Sequence, residues 1–492
     1  MMKKKESRSV NFPMVVKVMG WLVMIEGGFM LFPAAAAFFF GDAEFNAFAV
    51  SAAVTFLSGF AMTNGIRPSS TRMSKREGFL LTAMVWVVFS FFGMMPFLMS
   101  PVEISVGAAY FEAMSGFTTT GATVIDNIDR LSRSLHLWRA LMQWIGGMGI
   151  ILFTLAVIPM LNHSGGMQMF NAEVTGITHD KIRPRISQTA KSLWGIYILL
   201  TVACALLLWA GPMDWFDSIC HAFGTVSTGG CSTVDDGVDA WASPYILGVV
   251  TLFMFLGGVN FTLLYRVASG HPGALAANTT FRVYIGAIAL YFALFVAAIA
   301  YNGRLDSWQD GSLRPLFQVV SAITSTGYTV GQFSTWGYFT LALMFLIMFF
   351  GACAGSTAGG AKLDRMIVLL KFVRNEMCRA LQPNHVTAVQ VGKRAVPQDL
   401  VLKVVAFLCI YTMLMAFGGI ALSAMGMPMV DAFFSSFSCV SNVGLGASVT
   451  GYGGSFMLIP DGGLWLLSLL MLTGRLEIFT ILMLLLPAFW RR

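Results

Sequence analysis

Four short stretches place Gly beside Ser, Thr or Asn inside apolar surroundings. They are Ala113–Val124 (AMSGFTTTGATV), His221–Thr233 (HAFGTVSTGGCST), Val319–Val330 (VVSAITSTGYTV) and Ser436–Ser448 (SFSCVSNVGLGAS). Aligned on T-G in three and V-G in the fourth, they share Gly121, Gly229, Gly327 and Gly444, spaced 108, 98 and 117 residues apart. The chemistry they offer belongs to the backbone. A ring of Gly and Thr carbonyl oxygens replaces the hydration shell that a cation loses. Gly is required because inward-aimed carbonyls need backbone angles that a Cβ disfavours. Candidate ion-binding positions are Thr119, Thr120, Gly121, Thr228, Gly229, Thr326, Gly327, Asn442, Val443 and Gly444. One such stretch alone reads as a loop turn; four in phase read as a repeat.

The elements around them explain the phase. Of 492 residues, 57% are hydrophobic and 11% charged, against about 25% charged in soluble domains. Apolar runs occur near 14–40, 45–65, 79–100, 135–161, 193–211, 244–265, 283–301, 336–361, 400–425 and 463–489. Each is long enough to cross about 30 Å of hydrocarbon as a helix. The fold class is therefore an all-α polytopic membrane protein; an outer-membrane barrel would alternate polar and apolar residues. Each Gly turn follows about ten semi-apolar residues, which read as a short helix, and precedes another span. The unit is span, short helix, Gly turn, span, repeated four times around one pore. Its boundaries are 79–192, 193–282, 283–399 and 400–492, after an N-terminal pair within 1–78. The first span is read as retained rather than as a cleaved signal, being long and carrying Lys17 and Glu26. Gly146, Gly257, Gly351 and Gly474 recur in the second spans; Gly146, Gly147, Gly257 and Gly258 read as close-packing positions. Asp217 and Asp431 sit at plausible starts of short helices, as caps.

Non-helical polar backbone survives at membrane depth only when buried in protein or lining a watery path. The short helices would aim their partly negative C-terminal ends at the axis and favour a cation. The net charge of +7 follows topology rather than nucleic acid. Of 31 Lys and Arg, 23 fall in 1–13 and in alternate connecting segments, and five (130, 133, 139, 304, 314) on the opposite side. The positive-inside rule then places both termini in the cytoplasm. Cysteines 204, 220, 231, 353, 378, 409 and 439 form no C-x-x-C pair, so neither a metal site nor a disulfide framework is indicated.

With the filter turns, S-N-V-G in the fourth unit and G-R-L-E-I-F-T in the last span (474–480), the sequence resembles the TrkH/TrkG branch of the Trk/Ktr/HKT superfamily of potassium transporters. The resemblance covers essentially the whole chain, N-terminal pair included. It implies K+ as transported ion, bound at the filter residues, with Rb+ also accepted and no organic cofactor. It further implies a homodimer in the bacterial inner membrane and a cytoplasmic TrkA-like nucleotide-binding subunit. In the plant branch, Ser at the first filter glycine accompanies sodium transport, so Gly121 favours potassium.

Two features read as gates. Arg475 lies mid-span, where a charge costs about 2.5–3.5 kcal/mol unless it faces protein or water. It aligns with Gly147, Gly258 and Ala352, below the filter. At ~6 Å and an effective dielectric of ~20 it would repel a cation by roughly 2.8 kcal/mol; the plainer reading is a structural pair with Glu477 or another polar group. The second feature is G-A-C-A-G-S-T-A-G-G-A-K at 351–362. Its glycines each weaken a helix by about 1 kcal/mol, so Gly355, Ser356, Thr357, Gly359 and Gly360 are expected to unwind into a loop beneath the filter, on the ion path; the resemblance implies that this loop is a gate. The basic segment 362–399 would face anionic lipid, the partner, or neither. The alternatives are a sodium- or proton-coupled or less selective cation pathway and, remotely, an intramembrane hydrolase using Ser227, Ser321, His221 or Cys220. No nucleophile motif supports the latter.

Overall fold

A computed structural model describes residues 10–66, 73–147, 149, 186–303, 311–331, 336–382, 388–392, 394–446, 456–476 and 478–490. Among the described residues the regular elements are helices, apart from one hairpin of two-residue strands, Gln390–Val391 with Arg394–Ala395. The first two helices, Phe12–Phe40 and Phe45–Asn64, pack as an antiparallel pair. Small residues set their approach: a Cβ on Gly20 or Gly59 would meet the other's carbonyl oxygen at 2.7 Å.

Four units follow. Unit one comprises the first span Lys75–Gly93, the short helix Val106–Phe117 and the second span Arg133–Gly147. Unit two comprises Ile186–Trp209, Trp215–Val226 and Pro244–Gly257, and unit three Thr279–Tyr301, Leu313–Ile323 and Tyr338–Phe350. Unit four comprises Gln398–Ala424, Met429–Val440 and Asp461–Arg475. The short helices of units one and two carry side-chain caps. The Ser105 hydroxyl accepts from Ala108 N, and the Asp214 carboxylate from Asp217 N, satisfying donors that a helix start leaves free. The cap in unit two is thus Asp214, three residues before the expected Asp217. Asp217 stands inside the first turn and accepts from the Thr233 hydroxyl at 2.8 Å. Asp431 likewise lies inside the first turn, after Pro428 at the cap position.

Among the described residues six helices are long and apolar enough to cross a membrane, or eight if each bent pair counts as one span. Only 28–50% of their apolar windows is buried, so the remaining apolar surface matches hydrocarbon rather than water. The two further expected spans differ in kind. That at 135–161 is described only at its beginning. That at 336–361 is helical only over Tyr338–Phe350 and then unwinds. Two spans read as continuous are broken. The helix ending at Gly257 turns by 105° into Phe261–Ala268, and that ending at Arg475 turns by 113° into Phe479–Leu485. At the first break Asn260 caps the new helix, its side chain accepting from Thr262 N. Gly258 there sits where a Cβ would collide with the Tyr284 hydroxyl.

Candidate functional site

The four Gly turns share one backbone conformation. Each short helix ends two residues before a non-Gly residue with positive φ: Thr119 (54°), Thr228 (55°), Ser325 (53°) and Asn442 (52°). Two residues further on comes a glycine with positive φ: Gly121 (80°), Gly230 (71°), Gly327 (84°) and Gly444 (79°). Between them stand Thr120, Gly229, Thr326 and Val443, whose amides donate to Ser115, Gly224, Ser321 and Ser438 carbonyls at 2.8–2.9 Å. Positive φ at two Thr, both β-branched, is a true outlier. Such strain, about 1–3 kcal/mol per residue, persists only where the surroundings over-determine it.

This corrects the alignment in unit two. The glycine equivalent to Gly121 is Gly230, and Gly229 corresponds to Thr120. Gly230 and Ser325 were missed as candidates. A signal for both was present: the third residue before each shared glycine carries a hydroxyl (Thr118, Ser227, Thr324, Ser441). T-G alone sets the S-T-G-G run on Gly229, but only the register on Gly230 keeps that hydroxyl in place.

The four turns close on one another. A Cβ on Gly121 would run into the Gly229 carbonyl oxygen, on Gly230 into that of Thr326, on Gly327 into that of Val443, and on Gly444 into that of Thr120. Each unit's glycine therefore lies against the next unit's carbonyl, and the fourth returns to the first. Glycine is needed at these positions twice over, for φ and for space. Below the ring, Gly146 and Gly474 admit the Phe117 and Val440 carbonyl oxygens where a Cβ would stand. Gly147 and Gly258 lie against Ser227 and Thr324 of the following unit. These are close-packing positions.

Behind the ring, units are braced unequally. Glu112 accepts from Thr123 Oγ1 (3.0 Å), Val124 N (3.1 Å) and Arg139 Nε (2.8 Å), with both members of the ion pair buried. At the position equivalent to Glu112, His221 meets Ser232 Oγ (3.3 Å) and Gln318 accepts from Val330 N (3.2 Å). Gln143, also missed from sequence, donates to the Gly229 carbonyl (2.8 Å) and accepts from Cys231 N (3.0 Å). The Asn442 amide donates to Thr120 Oγ1 and to the Met471 carbonyl, each at 3.0 Å. Ser227 and Ser321 donate to the Gly224 and Tyr328 carbonyls, so neither is presented to His221 as a nucleophile.

Residues 351–362 are non-helical, as their glycines predicted. Gly351, Gly355 and Gly360 have φ of 66°, 76° and 75°. The segment is held against three units. Thr357 Oγ1 donates toward the Val226 (3.2 Å) and Gly257 (3.1 Å) carbonyls. Gly359 N donates to Ser325 Oγ, and Gly360 N to the Ser441 carbonyl at 3.0 Å. Asp364 anchors its far end, accepting from Ala354 N (2.8 Å) and Thr280 Oγ1 (2.6 Å). Arg475 supplies the link to unit one. Its Nη1 donates to the Thr357 carbonyl (3.1 Å) and its Nη2 to the Gly146 carbonyl (3.0 Å), with Trp86 beneath the guanidinium. Glu477 lies outside the described residues.

The family sequence model for TrkH, described as cation transport protein, matches residues 41–274 and 280–491. The chain belongs to the TrkH family. The potassium uptake protein TrkH of Salmonella typhimurium is 35% identical over 485 residues, covering 98% of this chain and all of that one. The potassium uptake protein TrkG of Escherichia coli is 31% identical over 487 residues, covering 97% and 98%. The crystal structure of the potassium transporter TrkH from Vibrio parahaemolyticus superposes with a TM-score of 0.89 at 34% identity, covering 98% of this chain and 100% of that one. These TrkH-family relatives are transport proteins, which sets the hydrolase alternative aside.

Proposed function

We propose that this protein is a potassium uptake pathway of the bacterial inner membrane: a gated, channel-like pore with the four Gly turns as its selectivity filter. The observation that carries the reading is the closed ring, in which each unit's glycine rests on the next unit's carbonyl. Dehydrating a cation at membrane depth requires oxygens held at fixed spacing, and a ring of mutually packed backbones holds them. The relatives named as potassium uptake proteins support the choice of ion. The ion-binding positions are Thr119, Thr120, Gly121, Thr228, Gly229, Thr326, Gly327, Asn442, Val443 and Gly444, to which the shared conformation adds Gly230 and Ser325.

The loop at 351–362 is the gate in this reading. It lies across carbonyls of units two and four and a hydroxyl of unit three, and Arg475 ties it to unit one. Neutral backbone and hydroxyl bonds, each worth about 1 kcal/mol net, and charge-assisted ones to Arg475 and Asp364, worth about 1.5–3 kcal/mol, hold it in place; a cytoplasmic partner would have to break them in moving it. A TrkA-like nucleotide-binding subunit is the proposed partner and a homodimer the proposed assembly. Both termini are placed in the cytoplasm by the Lys/Arg distribution. The unit boundaries 79–192, 193–282, 283–399 and 400–492 follow from the same reading.

The test is rubidium against sodium flux into liposomes holding the purified full chain, with Gly121→Ser alongside. A Ser Cβ at 121 displaces the Gly229 carbonyl, so the wild type should admit rubidium selectively and the variant should not. Equal entry of both ions into the wild type would overturn the filter reading. Silence even with the cytoplasmic partner added would overturn transport itself.

A further inference from the structure

We infer that Gln143 is a selectivity-determining positioning residue, whose amide stands in for the side chain that unit two lacks in the ring. The inference rests on the filter reading above. At the position before the shared glycine, units one, three and four carry Thr120, Thr326 and Val443, all β-branched and stiff. Unit two carries Gly229 followed by Gly230, the pair with the greatest conformational freedom to lose. The space a side chain at 229 would fill is occupied by Gln143: a Cβ there would meet Gln143 Cδ at 2.5 Å and Oε1 at 2.6 Å.

Gln143 also fixes what the missing side chain leaves loose. Its Nε2 donates to the Gly229 carbonyl and its Oε1 accepts from Cys231 N, at 2.8 and 3.0 Å. The two bonds straddle Gly230. The orientation of the amide is forced, since the flipped form would set oxygen against carbonyl oxygen and NH₂ against N–H. Gln143 is 2% exposed, so bulk solvent does not reach these bonds. The corresponding positions in the other second spans, three residues before Gly257, Gly351 and Gly474, are Met254, Met348 and Met471. An amide therefore appears only in the span that faces the one turn without a side chain. Its target, the Gly229 carbonyl, is also the oxygen against which Gly121 packs.

The experiment compares four full-length proteins in liposomes: wild type, Gln143→Met, Gln143→Ala and Gln143→Ala with Gly229→Thr. The readouts are the rubidium-to-sodium flux ratio and, separately, the thermal midpoint in detergent. Gln143→Met and Gln143→Ala are expected to lower the ratio by roughly fivefold, the factor one net hydrogen bond carries. Gly229→Thr is expected to restore it in the Ala background, because φ at 229 lies outside the left-handed region and the cleared space takes a β-branched side chain. Where Met fails to pack, the Ala pair carries the same test. A selective wild type whose ratio survives both single substitutions overturns this inference alone, as does a loss of thermal midpoint with the ratio unchanged. A wild type that admits both ions equally overturns the filter reading, and this inference with it.

Discussion

At the scale of single residues, two charges stand in the protein for different reasons. Arg475 donates to carbonyl oxygens of the segment at 351–362 and of unit one. In the proposed reading its positive charge stands below the filter and repels a passing cation. Arg475→Ala should therefore raise rubidium flux, with roughly a hundredfold as the ceiling set by a 2.8 kcal/mol repulsion at ~6 Å and a dielectric of ~20. Flux into liposomes measures it, and unchanged flux would leave Arg475 a purely structural tie. Glu112 and Arg139 are a different case. They are buried together at 4% and 5% exposure, so removing one strands the other. Glu112→Ala should cost about 3–5 kcal/mol, visible as a lowered thermal midpoint. It should also slacken the stretch after Gly121, because Thr123 and Val124 lose their hydrogen bonds to the Glu112 carboxylate.

At the scale of elements, the decisive object is the non-helical segment between Tyr338–Phe350 and Leu363–Leu381. Thr357 is its main strut, with a hydroxyl on unit two and a carbonyl under Arg475. Thr357→Val keeps the shape and removes the hydroxyl, so partner-free rubidium flux should rise several-fold. Deleting residues within 355–360 should go further and yield flux that no longer responds to the cytoplasmic partner. Partner dependence that survives the deletion would remove this segment from the gating account. Gly359 offers an independent probe. A Cβ there would strike the Ser441 carbonyl, so Gly359→Ala should also lift the loop from unit four.

At the scale of the whole molecule, topology and closure must agree. Asn127 is exposed beside the helical turn Ile128–Arg130 and Arg374 is exposed on Leu363–Leu381. With Cys378 and Cys409 replaced by Ser, Asn127→Cys should react with an impermeant maleimide only from outside. Arg374→Cys should react only from inside. Reversed labelling would invert the orientation inferred from charge. What the sequence by itself determined is the apolar spans, the fourfold unit and the glycine-weakened segment at 351–362. Each is written in local composition, as runs long enough for hydrocarbon and glycines dense enough to unwind a helix. The Gly257–Asn260 break was legible too, in a Gly pair followed by a capping Asn, yet hydropathy alone joined its two halves. Tertiary structure decided the rest. T-G occurs once in S-T-G-G, but the residue that takes φ of 71° is the second glycine, because the Thr326 carbonyl of unit three occupies the space where its Cβ would be. Asp217, three residues into the helix that Asp214 caps, is instead engaged by Thr233, sixteen residues away. Gln143 reads in sequence as one polar residue in an apolar span; only the fold lays it on a turn 86 residues distant. Spacing along a chain sets which elements form, but which carbonyl meets which glycine depends on neighbours that sequence separates by about a hundred residues.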